Sequence, residues 1–296
     1  MNAARPGWND YVELVRAPAI LSVLGDTLAG SAASQQPVAG RRALLPLASA
    51  CLYAGGMALN DYADRDLDAR ERPERPIPSG RISARHALTV ATGLTGAGLA
   101  IAALAGGPRA LAVAVPLAGC IWTYDTVAKE HASGPLVMAA CRGLDVLMGA
   151  GVGHLRPALA PAAGIAAHTA ALTLVSRGEV HGTTPATASG AATVTSVGAL
   201  AVLAGGVRAP VGRAVTTAVA SIAYVLTCLP DQVAAAREPT GPRARNATRQ
   251  GIRAMVPLQA AWAARGGSVG SAAFLAGVEI AGRVLRSRAR RKVSET

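Results

Sequence analysis

Long uncharged stretches separated by short polar, arginine-rich connections set the pattern of this chain. Apolar runs lie at 17–34, 43–62, 85–106, 108–126, 135–153, 160–178, 188–206 and 212–230. A further apolar region, 252–285, is broken at Arg265-Gly266-Gly267. A bilayer core needs about 20 apolar residues per helix, and several runs reach that length. The pattern predicts an all-α fold, a polytopic membrane helical bundle forming one domain over residues 1–296. Either 252–264 and 268–285 form two crossings or the total is nine; the first piece is short for a span and contains Pro257, which favours nine. Abundant Gly and Ala suit close helix contact in lipid, Gly55-Gly56 being one such place.

Composition agrees: 51% of residues are hydrophobic and only 16% charged, against roughly 25% charged in soluble domains. A net charge of +12 would suggest nucleic acid in a soluble protein. Here the arginines sit between apolar runs, where they orient the chain and meet anionic lipid, so nucleic-acid binding is not expected. The connections 63–85 and 231–253 are basic and fall on one side with the N-terminus. That side is read as cytoplasmic in a multi-pass protein of the cell membrane. The basic tail, 283–296, asks for the same side, which a single ninth crossing does not give. Four cysteines (Cys51, Cys120, Cys141, Cys228) lie singly in apolar runs and read as small buried hydrophobes. No signal peptide is apparent.

Residues 60–68 read Asn-Asp-Tyr-Ala-Asp-Arg-Asp-Leu-Asp and follow directly on an uncharged run. On a helix, Asn60, Asp61, Asp64 and Asp68 fall within an arc of roughly 100°, and Asp66 points away. Three carboxylates and an amide oxygen on one face are hard ligands of the kind Mg²⁺ prefers, commonly shared with substrate phosphates. The bland alternative is a solvated helix end neutralised by Arg65, Arg70 and Arg72, although acids at a helix C-terminus oppose its dipole.

The pattern Asn-Asp-x-x-Asp-x-x-x-Asp resembles the first aspartate motif of the UbiA superfamily of intramembrane prenyltransferases. The following Arg75-Pro76-Ile77-Pro78-Ser79-Gly80 is similar to the element that succeeds it there. The chain looks closest to an actinobacterial, EboC-type branch. The resemblance implies about nine transmembrane helices around a central cavity, with Mg²⁺ and an isoprenoid diphosphate held by acidic motifs on the second and sixth spans. Asp61, Asp64 and Glu179 then become the catalytic acids; Asn60, Asp61, Asp64, Asp68 and Glu179 become the metal ligands. The second motif departs from the family: Arg177-Gly178-Glu179-Val180-His181 offers one carboxylate and a histidine. His181 reads as ligand, base, hydrogen-bond donor or plain loop residue. Arg16, ahead of Pro18, resembles the family's Arg-Pro opening and reaches the diphosphate or merely anchors the interface. Tyr124 and Lys129 resemble its Tyr…Lys element, with Lys129 as a diphosphate clamp or an ordinary loop lysine. Arg75 and Arg177 complete the substrate-binding set with Arg142.

Charges inside spans are costly and rare. Asp26 sits in the first span, and Arg142 and Asp145, one turn apart in the fifth, read as a pair facing the cavity. Tyr53, Tyr62, Trp122 and Tyr124 are the aromatics available to stabilise an allylic cation. The leading expectation is a Mg²⁺-dependent prenyltransferase acting on an isoprenoid diphosphate and a lipid-soluble or aromatic acceptor. The alternative is a protein of the same fold that binds or moves an isoprenoid-type lipid without transfer. An ion-coupled transporter is a third class, disfavoured because no inverted repeat or paired broken helices are seen.

Overall fold

The computed structural model describes residues 6–205 and 209–294, with the side chains of Arg283 and residues 285–294 left outside the description. The reading of 283–296 as a basic tail therefore falls largely outside the described side chains. Among the described residues the fold is entirely helical, with eleven α-helices and three short 3₁₀ turns. In chain order they are α1 (Trp8–Leu14), α2 (Leu24–Ala33), α3 (Leu45–Ala63), α4 (Arg65–Glu71), α5 (Ala84–Thr126), α6 (Gly134–Ala150), α7 (Leu155–Ser176), α8 (Pro185–Ala204), α9 (Val211–Arg237), α10 (Gly241–Arg265) and α11 (Val269–Ser294). Five helical segments are long and apolar enough to cross a membrane: Gly40–Ala63, α5, α7, α8 and α9. Large apolar side chains such as Leu104, Leu136, Val197, Leu200 and Leu226 face outward, as lipid-facing positions would.

The predicted runs 85–106 and 108–126 form one element, broken at Gly107 (φ 63°, ψ −159°), with Pro108 next. The two arms fold back on each other, since Trp122 Nε1 donates to Thr95 Oγ1 at 3.3 Å. Two expectations change. The first run is a 3₁₀ turn, Ala17–Ser22, leading into a ten-residue helix, because Pro18 cannot extend a helix from Arg16. The connection 231–253 is almost wholly helical, with only Glu238, Pro239 and Thr240 between α9 and α10. Its arginines had marked it as loop, but long charged stems lie readily along a helix surface.

The last region breaks where the sequence marks it, at Arg265-Gly266-Gly267. Gly267 (φ 99°) ends α10 in a Schellman turn, with Ser268 N–H to Ala263 O at 3.0 Å and Gly267 N–H to Ala264 O at 2.9 Å. From there α11 packs back along α10 through Val256, Ala260, Ala264, Ala272 and Leu275. The apolar region 252–285 is thus shared between two helices, α10 and α11.

The core is built on small residues. Gly30 of α2 and Gly149 of α6 meet reciprocally: a Cβ on the first would collide with the Val146 carbonyl, and on the second with the Thr27 backbone. Ser31 Oγ bonds Gly149 O across the same seam at 2.8 Å. Gly149→Ala is expected to destabilise the protein by about 1–3 kcal/mol through overpacking, whereas Gly93→Ala, which meets nothing within 4 Å, should be neutral. Thermal unfolding in detergent measures both.

Candidate active site

The acidic face forms where α3 gives way to α4. Asp64 lies at the junction (φ −85°, ψ 0°), and the helical register survives it: Asp64 N–H bonds Asn60 O at 2.9 Å and Asp68 N–H bonds Asp64 O at 2.8 Å. Asn60, Asp61, Asp64 and Asp68 therefore share one face as the spacing predicts. Asp61 and Asp68 are buried, and Asp66 points away with its side chain 83% exposed.

Each carboxylate on that face is met by a cation brought from elsewhere. Arg16 Nη2 donates to Asn60 Oδ1 at 3.2 Å and to Asp61 Oδ1 at 3.1 Å. Arg75 Nη1 donates to the same Asp61 Oδ1 at 3.1 Å and to Asp68 Oδ2 at 2.8 Å. Lys129, in the 3₁₀ turn Ala128–Glu130, donates to Asp64. The neighbouring arginines do not do this: Arg65 pairs with outward Asp66 at 3.6 Å and stacks over the Tyr62 ring at 4.9 Å. The neutralisation is tertiary, so the bland reading of a self-neutralised helix end is incorrect in its partners.

Local structure explains how the cations are aimed. Arg16 takes a left-handed conformation (φ 47°), unusual for a residue with a Cβ and a form of strain often found at working sites. Arg75 leads the Pro76–Gly80 turn, closed by Ile82 N–H to Pro76 O at 2.9 Å and Ser79 Oγ to Arg75 O at 2.6 Å. Arg81 ties that turn to α1, donating to Asp10 at 2.7 Å, Glu13 at 2.8 Å and Glu74 O at 2.6 Å. The Arg81 guanidinium, helped by the Gly7 N–H, holds the Asp10 carboxyl below its ordinary value of 3.8. A depressed acid stabilises the fold above its unfolded pKa and loses that contribution as pH falls through the folded one. The latch is therefore intact at neutral pH and should open below about pH 3.8, which hydrogen exchange over residues 8–14 would reveal.

The second motif behaves differently. Arg177 donates to the His131 carbonyl, so the end of α7 does lie against the loop that carries Lys129. Glu179 is half-buried, and its backbone is engaged at both ends, its N–H donating to Ser176 O at 3.1 Å and its carbonyl accepting from Arg245 at 3.0 Å. His181 is exposed. Neither touches the acidic face, and among the described residues no three His, Cys, Asp or Glu side chains converge as a metal cluster. The predicted ligand set is thus split: Asn60, Asp61, Asp64 and Asp68 are together, and Glu179 and His181 are not with them. Mg²⁺ chemistry fits the first group, since all four offer hard oxygen atoms and two of the carboxylates are shielded from water.

Next to this face, where Asn60 bonds Asp125, a cavity opens between α3, α5 and α6, walled largely by apolar side chains. Tyr53 and Tyr124 line it; Tyr62 and Trp122 pack instead into the apolar cluster around Leu59 and Ile82. Arg142 and Asp145 line it too, but they do not pair as predicted. Arg142 Nη2 reaches Asp26 at 3.1 Å and Ser22 O at 2.7 Å, while Ser49 Oγ donates to Asp145. Asp26 also accepts from Gln259 Nε2 at 2.7 Å. Neighbours across helices, rather than along one, satisfy these charges.

One cavity residue was missed. Asp125, beside Tyr124, is 2% exposed and accepts from Asn60 Nδ2 at 3.4 Å. The signal was present, for a carboxylate inside an apolar run is costly without a use.

Comparison with known proteins follows the same lines. The sequence model of the UbiA prenyltransferase family matches residues 22–250. Digeranylgeranylglyceryl phosphate synthase of Methanopyrus kandleri is 36% identical over 154 residues, 50% of this chain and 54% of that protein. The enzyme of that name from Korarchaeum cryptofilum is 42% identical over 97 residues, 32% of this chain and 34% of that protein. The chain thus spans about half or less of the length of these curated relatives. The apo structure of a UbiA homolog from Aeropyrum pernix superposes with a TM-score of 0.66 at 20% identity, covering 82% of this chain and 96% of that one. A UbiA homolog from Archaeoglobus fulgidus, bound to DMAPP and Mg²⁺, gives 0.63 at 16% identity over 83% and 99%. At such identities the structures establish the shared fold.

Proposed function

The chain belongs to the UbiA prenyltransferase family, and from that premise we propose that it transfers an isoprenyl group from its diphosphate to a lipid-soluble acceptor with Mg²⁺. One observation carries the reading: Asp61, Asp64 and Asp68, each engaged by Arg16, Arg75 or Lys129, follow along the chain from Gly56 and Met57, which line an apolar cavity. Asn60, Asp61, Asp64 and Asp68 would hold the metal, which when bound offsets charge on the diphosphate leaving group. Arg16, Arg75 and Lys129 are already within reach to turn from carboxylate to phosphate oxygens. Tyr53 and Tyr124 would line the path of the isoprenyl group, and the apolar wall keeps water from an allylic cation. In the transfer, the bond from C1 of the isoprenyl group to the diphosphate oxygen breaks. The diphosphate keeps the electron pair, the acceptor's nucleophilic atom bonds C1, and its proton passes to the departing diphosphate. The side bearing these residues is read as the cytoplasmic face of the cell membrane, and Arg177 as a brace for the Lys129 loop.

The test uses purified protein in nanodiscs with labelled geranyl or geranylgeranyl diphosphate. Mg²⁺-dependent binding is expected in the wild type and its loss in Asp64→Ala; a wild type that binds no isoprenyl diphosphate would sink the reading. The isolation of Glu179 from the acidic face favours a second reading, in which the lipid diphosphate is bound or moved without transfer. Tight binding with no turnover across varied acceptors would support it. Turnover abolished by Glu179→Gln would dismiss it. The names of the archaeal relatives make a glyceryl phosphate one acceptor head to include.

A further inference from the structure

At the end of the bundle away from the acidic face, arginines gather and carboxylates do not. Helix α7 measures the separation: it starts at Leu155 and ends beside the Lys129 loop, where Arg177 donates to the His131 carbonyl. From Pro157 to Ser176 it spans about 30 Å at a rise of about 1.5 Å per residue. The connections at its starting end, 34–44, 151–154, 205–210 and 266–268, contain no Asp or Glu. Arg41, Arg42, Arg109, Arg156, Arg213 and Arg265 lie in or beside them. On the reading that puts the acidic face in the cytoplasm, basic residues here oppose the orienting rule.

Two of these arginines, Arg213 near the start of α9 and Arg265 at the end of α10, line one cavity with Trp262. Among the described residues each gives one hydrogen bond, and both bonds go to backbone. Arg213 Nη2 donates to the Arg265 carbonyl, and Arg265 Nη1 to Ala201 O at 2.9 Å. Gly205 makes room for Arg265, since an added Cβ there would collide with its Nε. A guanidinium carries five N–H donors, so most of theirs are unspent. Arg213 Nε is buried with no hydrogen-bond partner among the described residues. Trp262 is 4% exposed, its ring lies under the Arg265 guanidinium at 4.9 Å, and its Nε1 also lacks a partner.

A buried N–H with no acceptor is costly unless a ligand supplies one. Two guanidiniums on one cavity wall with no carboxylate also repel, the more so where water is scarce. A phosphate group relieves both costs. Its oxygens accept several N–H bonds at once, its charge answers theirs, and the arginine fork matches its geometry. We propose that Arg213, Arg265 and Trp262 form a binding site for a phosphate group, carried by an anionic lipid head or free in solution, at the end of the bundle opposite the acidic face. The site does not rest on the transferase reading.

The experiment uses the full chain in a maltoside detergent without Mg²⁺, and titrates in either inorganic phosphate or phosphatidylglycerol. Binding is read as a saturable rise in Tm, which a ligand of the folded state produces by mass action. The wild type is expected to show that rise. Saturation with inorganic phosphate identifies a free anion as sufficient; saturation with phosphatidylglycerol alone identifies a lipid head. Arg213→Gln should weaken the apparent Kd by at least about tenfold, the scale of one hydrogen bond to a charged group. Arg109→Gln makes the same charge change at an exposed position at this end, outside the cavity. Its Kd should stay within about twofold of the wild type's. Should Arg213→Gln fail to fold, Ala160→Asp sets a carboxylate on the cavity wall and should abolish the rise. The proposal is overturned if neither probe gives a saturable rise, or if Arg213→Gln binds as the wild type does. Equal weakening by Arg213→Gln and Arg109→Gln, or a rise that survives Ala160→Asp, overturns it as well.

Discussion

Asp61→Asn is expected to abolish Mg²⁺-dependent binding of an isoprenyl diphosphate and to lower turnover by at least about 100-fold, the scale on which even outer-shell partners of a metal site act. Asp61 Oδ1 is the acceptor shared by Arg16 and Arg75, each at 3.1 Å. Neutralising it removes a metal oxygen and leaves two guanidiniums with one carboxylate, Asp68, still between them and the helix. The loss should therefore be selective. Binding measured with Mg²⁺ collapses, while binding of the bare diphosphate in a chelator persists or strengthens, because the freed arginines meet phosphate directly. Asp66→Asn, two residues before Asp68 but facing solvent, is the matched control and should alter neither. Calorimetric titration with and without Mg²⁺ separates the outcomes; an Asp61→Asn protein that binds as the wild type does would remove the acidic face from the site.

Arg142→Met is expected to cost about 3–5 kcal/mol of stability, the usual consequence of taking one partner from a buried ion pair. Asp26 is 0% exposed and Asp145 5% exposed, and Arg142 is the cation paired with Asp26. Removing it leaves two buried carboxylates with Ser49 and Gln259 as their remaining side-chain donors. Adding Asp26→Asn to Arg142→Met should recover part of the loss, because it deletes the charge that was left behind. Chemical and thermal unfolding of the single and double variants in one detergent gives the coupling. Strict additivity would show that Arg142 and Asp26 do not interact, contrary to their 3.1 Å contact.

How much of this was legible beforehand depended on the range over which each feature is encoded. The acidic face was legible because register within one helical turn is local: Asn60, Asp61, Asp64 and Asp68 keep i−4 hydrogen bonding through the α3–α4 junction. The partners of those acids were partly legible, as Arg16, Arg75 and Lys129 were singled out by motif resemblance. Residue spacing alone would have nominated Arg65, Arg70 and Arg72. Arg142 and Asp145 show the failure most plainly. One turn apart on α6, they satisfy the spacing for a pair, yet each is bonded to a different helix. The second motif was read in sequence as thinned, and Glu179 and His181 make no hydrogen bond to the acids among the described residues.

The sequence by itself determined the family, the helical membrane class and the face that carries the hard oxygen ligands. Hydropathy and short-range spacing are local properties, and a bilayer permits few other ways to satisfy a backbone. Only the tertiary structure decided which cation meets which carboxylate and that Asp125 looks into the cavity. Those depend on residues tens or hundreds of positions apart being brought together by small-residue packing, as where Gly30 meets Val146 and Gly149 meets Thr27. Burial then leaves a charge no option but the nearest partner across the interface.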